Sequence, residues 1–246
     1  MTVTPLLHFG LGPIGSAIAR AASMRPGLRQ VGGIDIDPAK EGRRLSDVAL
    51  FSDGDEALVY RDLAQLPRDQ QPRVTLHSTG STLSRVMDEI LSLVELGSSV
   101  ISTCEELSFP FHRYPDESRR LDSAAREHGV VVLGTGVNPG FVMDTLVFTL
   151  SAVAERVDRV EVERVVNASE RRLPLQQKIG AGLDLREFER RAAAGVLRHV
   201  GLEESVRLVA AALGWEIDSI DFSLEPLVAE RRRRSQELTA EVGQAA

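Results

Sequence analysis

Residues 6–24, LLHFGLGPIGSAIARAASM, set a short apolar run in front of three closely spaced glycines, Gly10, Gly12 and Gly15. Ile14, Ala17, Ile18 and Ala21 then recur at helical spacing behind Pro13, whose fixed φ and missing N–H suit the first turn of a helix. Few folds accept a buried strand that runs through a glycine turn straight into a helix. The glycines of a G-x-G-x-x-G allow the tight turn, let backbone approach a pyrophosphate and let the helix pack closely on the strand. A second strand over 28–35 ends in GGIDIDP, and its Asp35 stands twenty positions beyond Gly15, where a carboxylate can accept a hydrogen bond from a ribose 2′-hydroxyl. This pattern predicts a dinucleotide held by Gly10, Gly12, Pro13, Ile14, Gly15 and Asp35. Asp35 favours NAD by repelling a 2′-phosphate, while Lys40, Arg43 and Arg44 either neutralise it or simply form a solvated helix face; NAD and NADP both stay open.

The rest of the first 140 residues repeats the alternation. Strands are expected at 74–78, 99–103 and 130–133, the last fully apolar, with helices over 83–94 and 115–128 stopped by Gly97 and Gly129. Residues 36–73 are polar and carry no clear period. Strand-helix alternation specifies a parallel, doubly wound sheet of Rossmann type, so 1–140 is expected to be a dinucleotide-binding domain. Open parallel sheets gather ligands at the C-terminal ends of their strands. Three loops there are unusual: HSTGS (77–81), STCEELSFP (102–110) and GTGVNPG (134–140). Ser78, Thr79, Gly80 and Thr103 are candidates for the nicotinamide half of the cofactor. Asn138 is either a nicotinamide or pocket contact or a turn residue before proline.

After residue 140 the pattern changes to an α+β unit, 141–246, expected to bind substrate and dimerise. Helices are expected at 141–154, 185–200 and 202–213, half-exposed strands at 159–166 and 215–222, and a loop-rich segment between 167 and 185. The arginine run 231–234 reads as a solvated face. A net charge of −7 argues against nucleic acid or an anionic membrane as main partner. One cysteine permits no internal disulfide, and the five histidines show no metal-ligand spacing, so no metal is expected. No apolar run reaches the roughly 18 residues of a membrane span, and no basic-then-apolar leader opens the chain; a cytoplasmic protein is expected.

The adjacent carboxylates Glu105 and Glu106, just beyond a buried strand, are the most informative polar feature. Glutamates there either stabilise a helix N-terminus or act as a general base whose pKa burial raises toward neutrality. Side chains of neighbouring residues leave an extended chain on opposite faces, so only one is expected to reach a substrate. Cys104 reads as a small buried residue, and His8 and His77, inside strands, as core histidines.

FGLGPIG, STCEELSFP, GTGVNPGFVMDTL, LPLQQKIGAGL and RHVGLEES, in that order, resemble the family of 2,4-diaminopentanoate dehydrogenase and the native amine dehydrogenases, distant cousins of dihydrodipicolinate reductase. The resemblance implies NAD(P)-dependent deamination of an amine to a ketone and ammonia, or the reverse, with a catalytic glutamate at Glu105 or Glu106. It implies that the 167–185 segment approaches substrate, with Glu105, Phe141 and His199 as substrate contacts, and a homodimer. His199 reads equally as a histidine interacting with a helix end. Members of that family continue beyond the point where this chain stops, so its second domain is expected to be C-terminally incomplete, with an open sheet edge. Two other readings stand beside the amine dehydrogenase. One is a dihydrodipicolinate-reductase-like C=N reductase, which would want a basic or histidine-rich loop for a dicarboxylate; the other is a non-catalytic dinucleotide-binding module.

Overall fold

The computed structural model describes residues 3–52, 56–197 and 199–246. Its first half alternates β1 (Thr4–Phe9), α1 (Pro13–Ser23), β2 (Leu28–Ile34), α2 (Leu45–Ala49), β3 (Val59–Tyr60), β4 (Val74–His77), α3 (Leu83–Glu95), β5 (Ser99–Ser102), α4 (Pro115–Glu127) and β6 (Val132–Gly134). The strands form one sheet in the order β3-β2-β1-β4-β5-β6, every neighbouring pair parallel. That is the order expected of a Rossmann sheet, and the chain reverses its winding between β1 and β4. A crevice therefore opens above the C-terminal ends of those two strands.

The core explains why the helices sit where they do. Leu7, Val31 and Val100 of the sheet pack with Leu83, Val86, Ile90, Leu93 and Val94, all from α3. Burial of each such side chain contributes roughly 1.5–3 kcal/mol, so α3 is held by its apolar face rather than by propensity. Gly97, at φ +80°, ends it as expected.

The apolar run 130–133 is expected to be a strand, and one forms there two residues later than expected, at the sheet edge. β6 spans Val132–Gly134 at the sheet edge, paired only with β5, and leaves Val131 66% and Leu133 50% exposed. An apolar run cannot announce whether it has one neighbour or two. In the period-free stretch before β4, α2 and β3 are so short that no repeat could reveal them.

His8, in the centre of β1, is 1% exposed, and neither ring nitrogen has a hydrogen-bond partner. Burial lowers its imidazole to about 4, with the nearby Gln30 amide offsetting only part of the effect. The unfolded chain takes up this proton near pH 6.5 and the folded chain does not until about pH 4. Stability from His8 is thus fully present above pH 6.5 and is lost as pH falls toward 4, by about 3 kcal/mol in all. Denaturant titrations at pH 7 and pH 4.5 are expected to show a smaller stability loss in His8→Phe than in the parent; equal losses would refute it.

The second half contains α5 (Thr145–Ser151), α6 (Leu173–Lys178), α7 (Leu185–Ala193), α8 (Leu202–Leu213) and the short antiparallel pair β7 (Arg233–Arg234) and β8 (Thr239–Ala240). α8 matches expectation. The helix expected over 141–154 begins only at Thr145, because Asp144 turns its side chain onto the Thr145 N–H at 2.6 Å as a cap. The helix expected over 185–200 stops at Ala193, followed by Gly195 at φ +67°, and Arg198 lies outside the described residues. Residues 159–166 and 215–222 form no strand. Alternation makes a strand only where a neighbour supplies the ladder, and among the described residues none pairs with either segment; Val165 stays 85% exposed. The loop expected before 185 instead contains α6. The arginines 231–234 are exposed, as expected. Among the described residues no helix is long and apolar enough to cross a membrane.

Candidate active site

The three glycines of the turn do different work. Gly10 has φ +91°, and a Cβ on Gly15 would lie 1.8 Å from the Gly10 carbonyl, so the turn closes only because both side chains are absent. Ser78 at the end of β4 locks it by donating its hydroxyl to Gly10 O at 2.8 Å. Gly12 differs: a Cβ there would meet no atom within 4 Å. That open side faces a crevice of 570 Å³, lined by Gly10, Gly12, Asp35, Ile36, Ser78 and Thr79 among others, at the N-terminus of α1. A backbone cradle with space at the one glycine whose side chain would block it fits a pyrophosphate.

Asp35 is 9% exposed and partly engaged. Its Oδ2 accepts from the Leu11 N–H at 2.7 Å and from Lys40 Nζ at 2.9 Å, and its Oδ1 accepts from the Asp37 N–H at 2.9 Å. Burial alone would raise this carboxyl, but the Asp37 amide, Lys40 and the Leu11 amide outweigh it and hold it below the ordinary value. One lone pair of Oδ1 is left for a ribose hydroxyl. Pro13 and Ile14 stand exposed at the start of α1, Ile14 at 54%.

Glu105 and Glu106 share one turn of 3₁₀ helix after β5 and go opposite ways. Glu106 is 0% exposed. Its Oε2 accepts from the Leu83 N–H at 2.9 Å and the Tyr114 hydroxyl at 2.7 Å, so it caps the first turn of α3. The Arg113 guanidinium lies 3.6 Å from Glu106 Oε1 and 3.6 Å from Glu204 Oε1, bridging two buried carboxylates. Burial, helped by the Glu106 carboxylate, pushes Tyr114 up to about 12. Glu105 remains partly open, although its Oε2 is buried without a hydrogen-bond partner; among the described residues the cation paired with it is Lys178, whose Nζ lies 3.9 Å away. Burial first, then the Glu106 and Glu204 carboxylates, raise the Glu105 carboxyl, and Lys178 opposes them.

The second half completes this wall. α6 presents Lys178, and the loop before α8 presents His199, whose Nε2 is 3.3 Å from Asn138 Nδ2. Burial and then Lys178 lower the His199 imidazole. Gly201, at φ +84°, sits where a Cβ would be 2.4 Å from Pro139 and 3.2 Å from Glu105 Cβ, so a side chain there would push the two halves apart. Asp144 ties them: its Oδ2 accepts from the Gly140 N–H at 2.8 Å and from the Ser205 hydroxyl at 2.7 Å.

The other candidates fall into place around this core. Thr79 donates to Glu89 and faces His77, whose two ring nitrogens meet Ser102 and Glu89, a satisfied core histidine as expected. Thr103 is held by its N–H to the His77 carbonyl, and Gly80 lies against Val86. Phe141 is 50% exposed on the loop that carries Asn138. Cys104 is 0% exposed and burial pushes its thiol up to about 12, which makes it inert. Lys178, Glu204 and Asp144 were not among the residues the sequence singled out. A lone lysine or glutamate on a helix is ordinarily solvated, and only the fold turns these inward.

Residues 141–246 match the family model of the 2,4-diaminopentanoate dehydrogenase C-terminal domain. The whole chain is 30% identical over 249 residues to 2,4-diaminopentanoate dehydrogenase of Acetoanaerobium sticklandii, covering 70% of that protein. It is 24% identical over 226 residues to an amine dehydrogenase of Streptomyces virginiae, 86% of this chain and 60% of that one. Among solved structures, an amine dehydrogenase from Mycobacterium smegmatis superposes with a TM-score of 0.78 at 21% identity, covering 98% of this chain and 72% of the other.

Proposed function

The chain belongs to the 2,4-diaminopentanoate dehydrogenase family, and from that premise we propose that it is an NAD(P)-dependent amine dehydrogenase in which Glu105 is the general base. The observation that carries the assignment within the acidic pair is their divergence. Glu106 is sealed against α3 and Tyr114 at 0% exposure, whereas the Glu105 side chain stays 25% exposed and faces Lys178 from the second half.

A nicotinamide dinucleotide bound along Gly10, Gly12, Gly15 and Asp35 would supply the hydride acceptor. The protein's own part is proton handling and charge. An amine yields hydride only after its ammonium has lost a proton, and Glu105 takes that proton as the carboxylate. Glu105 passes that proton to solvent, and loss of hydride then leaves a cationic iminium on the substrate carbon and nitrogen, which the restored Glu105 carboxylate stabilises. Water then adds to the iminium carbon and gives a proton to the Glu105 carboxylate, which returns it to the carbinolamine nitrogen; collapse releases the ketone, with ammonia leaving as ammonium. Asn138 and His199 border the space where substrate would lie.

Asp35 bears on cofactor choice. Its charge disfavours a 2′-phosphate and its free lone pair suits a ribose hydroxyl, which supports NAD, while Lys40 softens the discrimination. The test is a panel of primary amines with NAD and with NADP, following reduced nicotinamide and ammonia together. Stoichiometric appearance of both supports the reading. Cofactor binding with no amine turning over would favour the non-catalytic module.

A further inference from the structure

Three carboxylates, Glu105, Glu106 and Glu204, converge between the halves of the molecule with two cations, Arg113 and Lys178. Arg113 is spoken for: its Nη1 lies 3.6 Å from both Glu106 and Glu204, the two that are sealed, at 0% and 2% exposure. Among the described residues, Lys178 is the cation paired with Glu105, at 3.9 Å. It comes from the far half of the chain, on the last residue of α6, and that helix is pinned by its neighbours. Gln176 is 2% exposed and accepts from the Ser235 hydroxyl at 2.8 Å, and Gly180 packs directly on Phe188 and Leu197. The pinned helix thus sets the root of the lysine opposite the carboxylate, with its side chain still 36% exposed.

We propose that Lys178 is the positioning residue for Glu105: its ammonium is the counter-ion that keeps the carboxylate ionised and aimed at the substrate space. This rests on the reading of Glu105 as the base. The groups facing Glu105 are Glu106 from its own turn, Glu204 from α8, Ser81 from the loop before α3, and Lys178 from α6; His199 and Asn138 border the same space. Both carboxylate neighbours disfavour a second negative charge, and His199, lowered by burial and by Lys178, adds none of the opposite sign near neutral pH. Without Lys178, Glu105 would protonate at a higher pH and be less available to accept a proton from an ammonium.

The test reads Glu105 directly. Carboxyl ¹³C resonances of the glutamate-labelled full chain are titrated by NMR, the Glu105 signal being assigned by its loss in Glu105→Gln. Lys178→Met, which keeps the stem and removes the charge, is expected to raise the Glu105 midpoint by about one pH unit or more, and Lys178→Arg to leave it near the parent value. In the amine-oxidation profile of kcat/KM, the acid limb of Lys178→Met should move to higher pH by the same amount. An unchanged midpoint in Lys178→Met would overturn the proposal, since loss of a merely structural lysine moves neither the midpoint nor the limb. Because the titration needs no turnover, it decides the role of Lys178 even if Glu105→Gln stays active, and the two failures are separable.

Discussion

Glu105→Gln is expected to lower the turnover of amine oxidation by roughly 10²–10⁴ while leaving cofactor affinity and melting temperature nearly unchanged. Glutamine keeps the volume and one oxygen but has no useful proton affinity, and Glu105 makes no side-chain hydrogen bond that the fold depends on. Glu106→Gln should do the opposite. That side chain is fully buried and caps α3 with one oxygen while facing Arg113 with the other, so an amide nitrogen would be forced against either the Leu83 N–H or the guanidinium. A loss of stability of about 1–3 kcal/mol is expected, with turnover per folded molecule retained. Since burial, opposed by Lys178 and helped by two neighbouring carboxylates, raises Glu105 from its ordinary value, activity in the parent should fall with decreasing pH earlier than for an exposed glutamate. That limb should disappear in Glu105→Gln. Steady-state kinetics and thermal melts on both variants settle it: normal turnover in Glu105→Gln would leave the proposed chemistry without its base.

What separates the two glutamates was not legible in the string. Their adjacency predicts opposite faces, but which face is wet depends on Leu83, Tyr114 and Arg113, residues 7 to 23 positions away from Glu106 that only folding brings close. The sheet was far more legible. β1, β2, β4 and β5 each carry apolar residues that the sheet buries, β1 and β4 run into glycine-bearing turns, and α3 carries an unbroken apolar stripe, so local pattern and tertiary burial agree. Agreement fails where a pattern needs a neighbour to become structure. Residues 159–166 alternate as a strand should, yet find no ladder partner among the described residues, and the apolar run at β6 lies at an edge. Lys178 shows the same limit at the site. Its significance is a distance across the molecule, and nothing in LPLQQKIGAGL announces it.

Gly12→Val provides the complementary test, one that removes the cofactor and spares the fold. Its three glycines are not equivalent. At Gly10 the positive φ, and at Gly15 the 1.8 Å approach to the Gly10 carbonyl, mean that any side chain would break the turn itself, so lost binding there would be uninformative. Gly12 has φ −65° and ψ −176°, extended backbone open to any residue, and its Cβ would point into empty space. Valine at this N-cap position is expected to cost only about 1 kcal/mol, a drop of roughly 2–4 °C in Tm. The isopropyl group would stand where the backbone must meet the pyrophosphate. Affinity for NADH, followed by its fluorescence or by calorimetry, should therefore weaken by more than about 100-fold, equivalent to about 2.7 kcal/mol or more. A variant that stays folded and binds NADH as tightly as the parent would show that the glycine turn is not the pyrophosphate cradle, and the hydride acceptor would have to be sought elsewhere in the molecule.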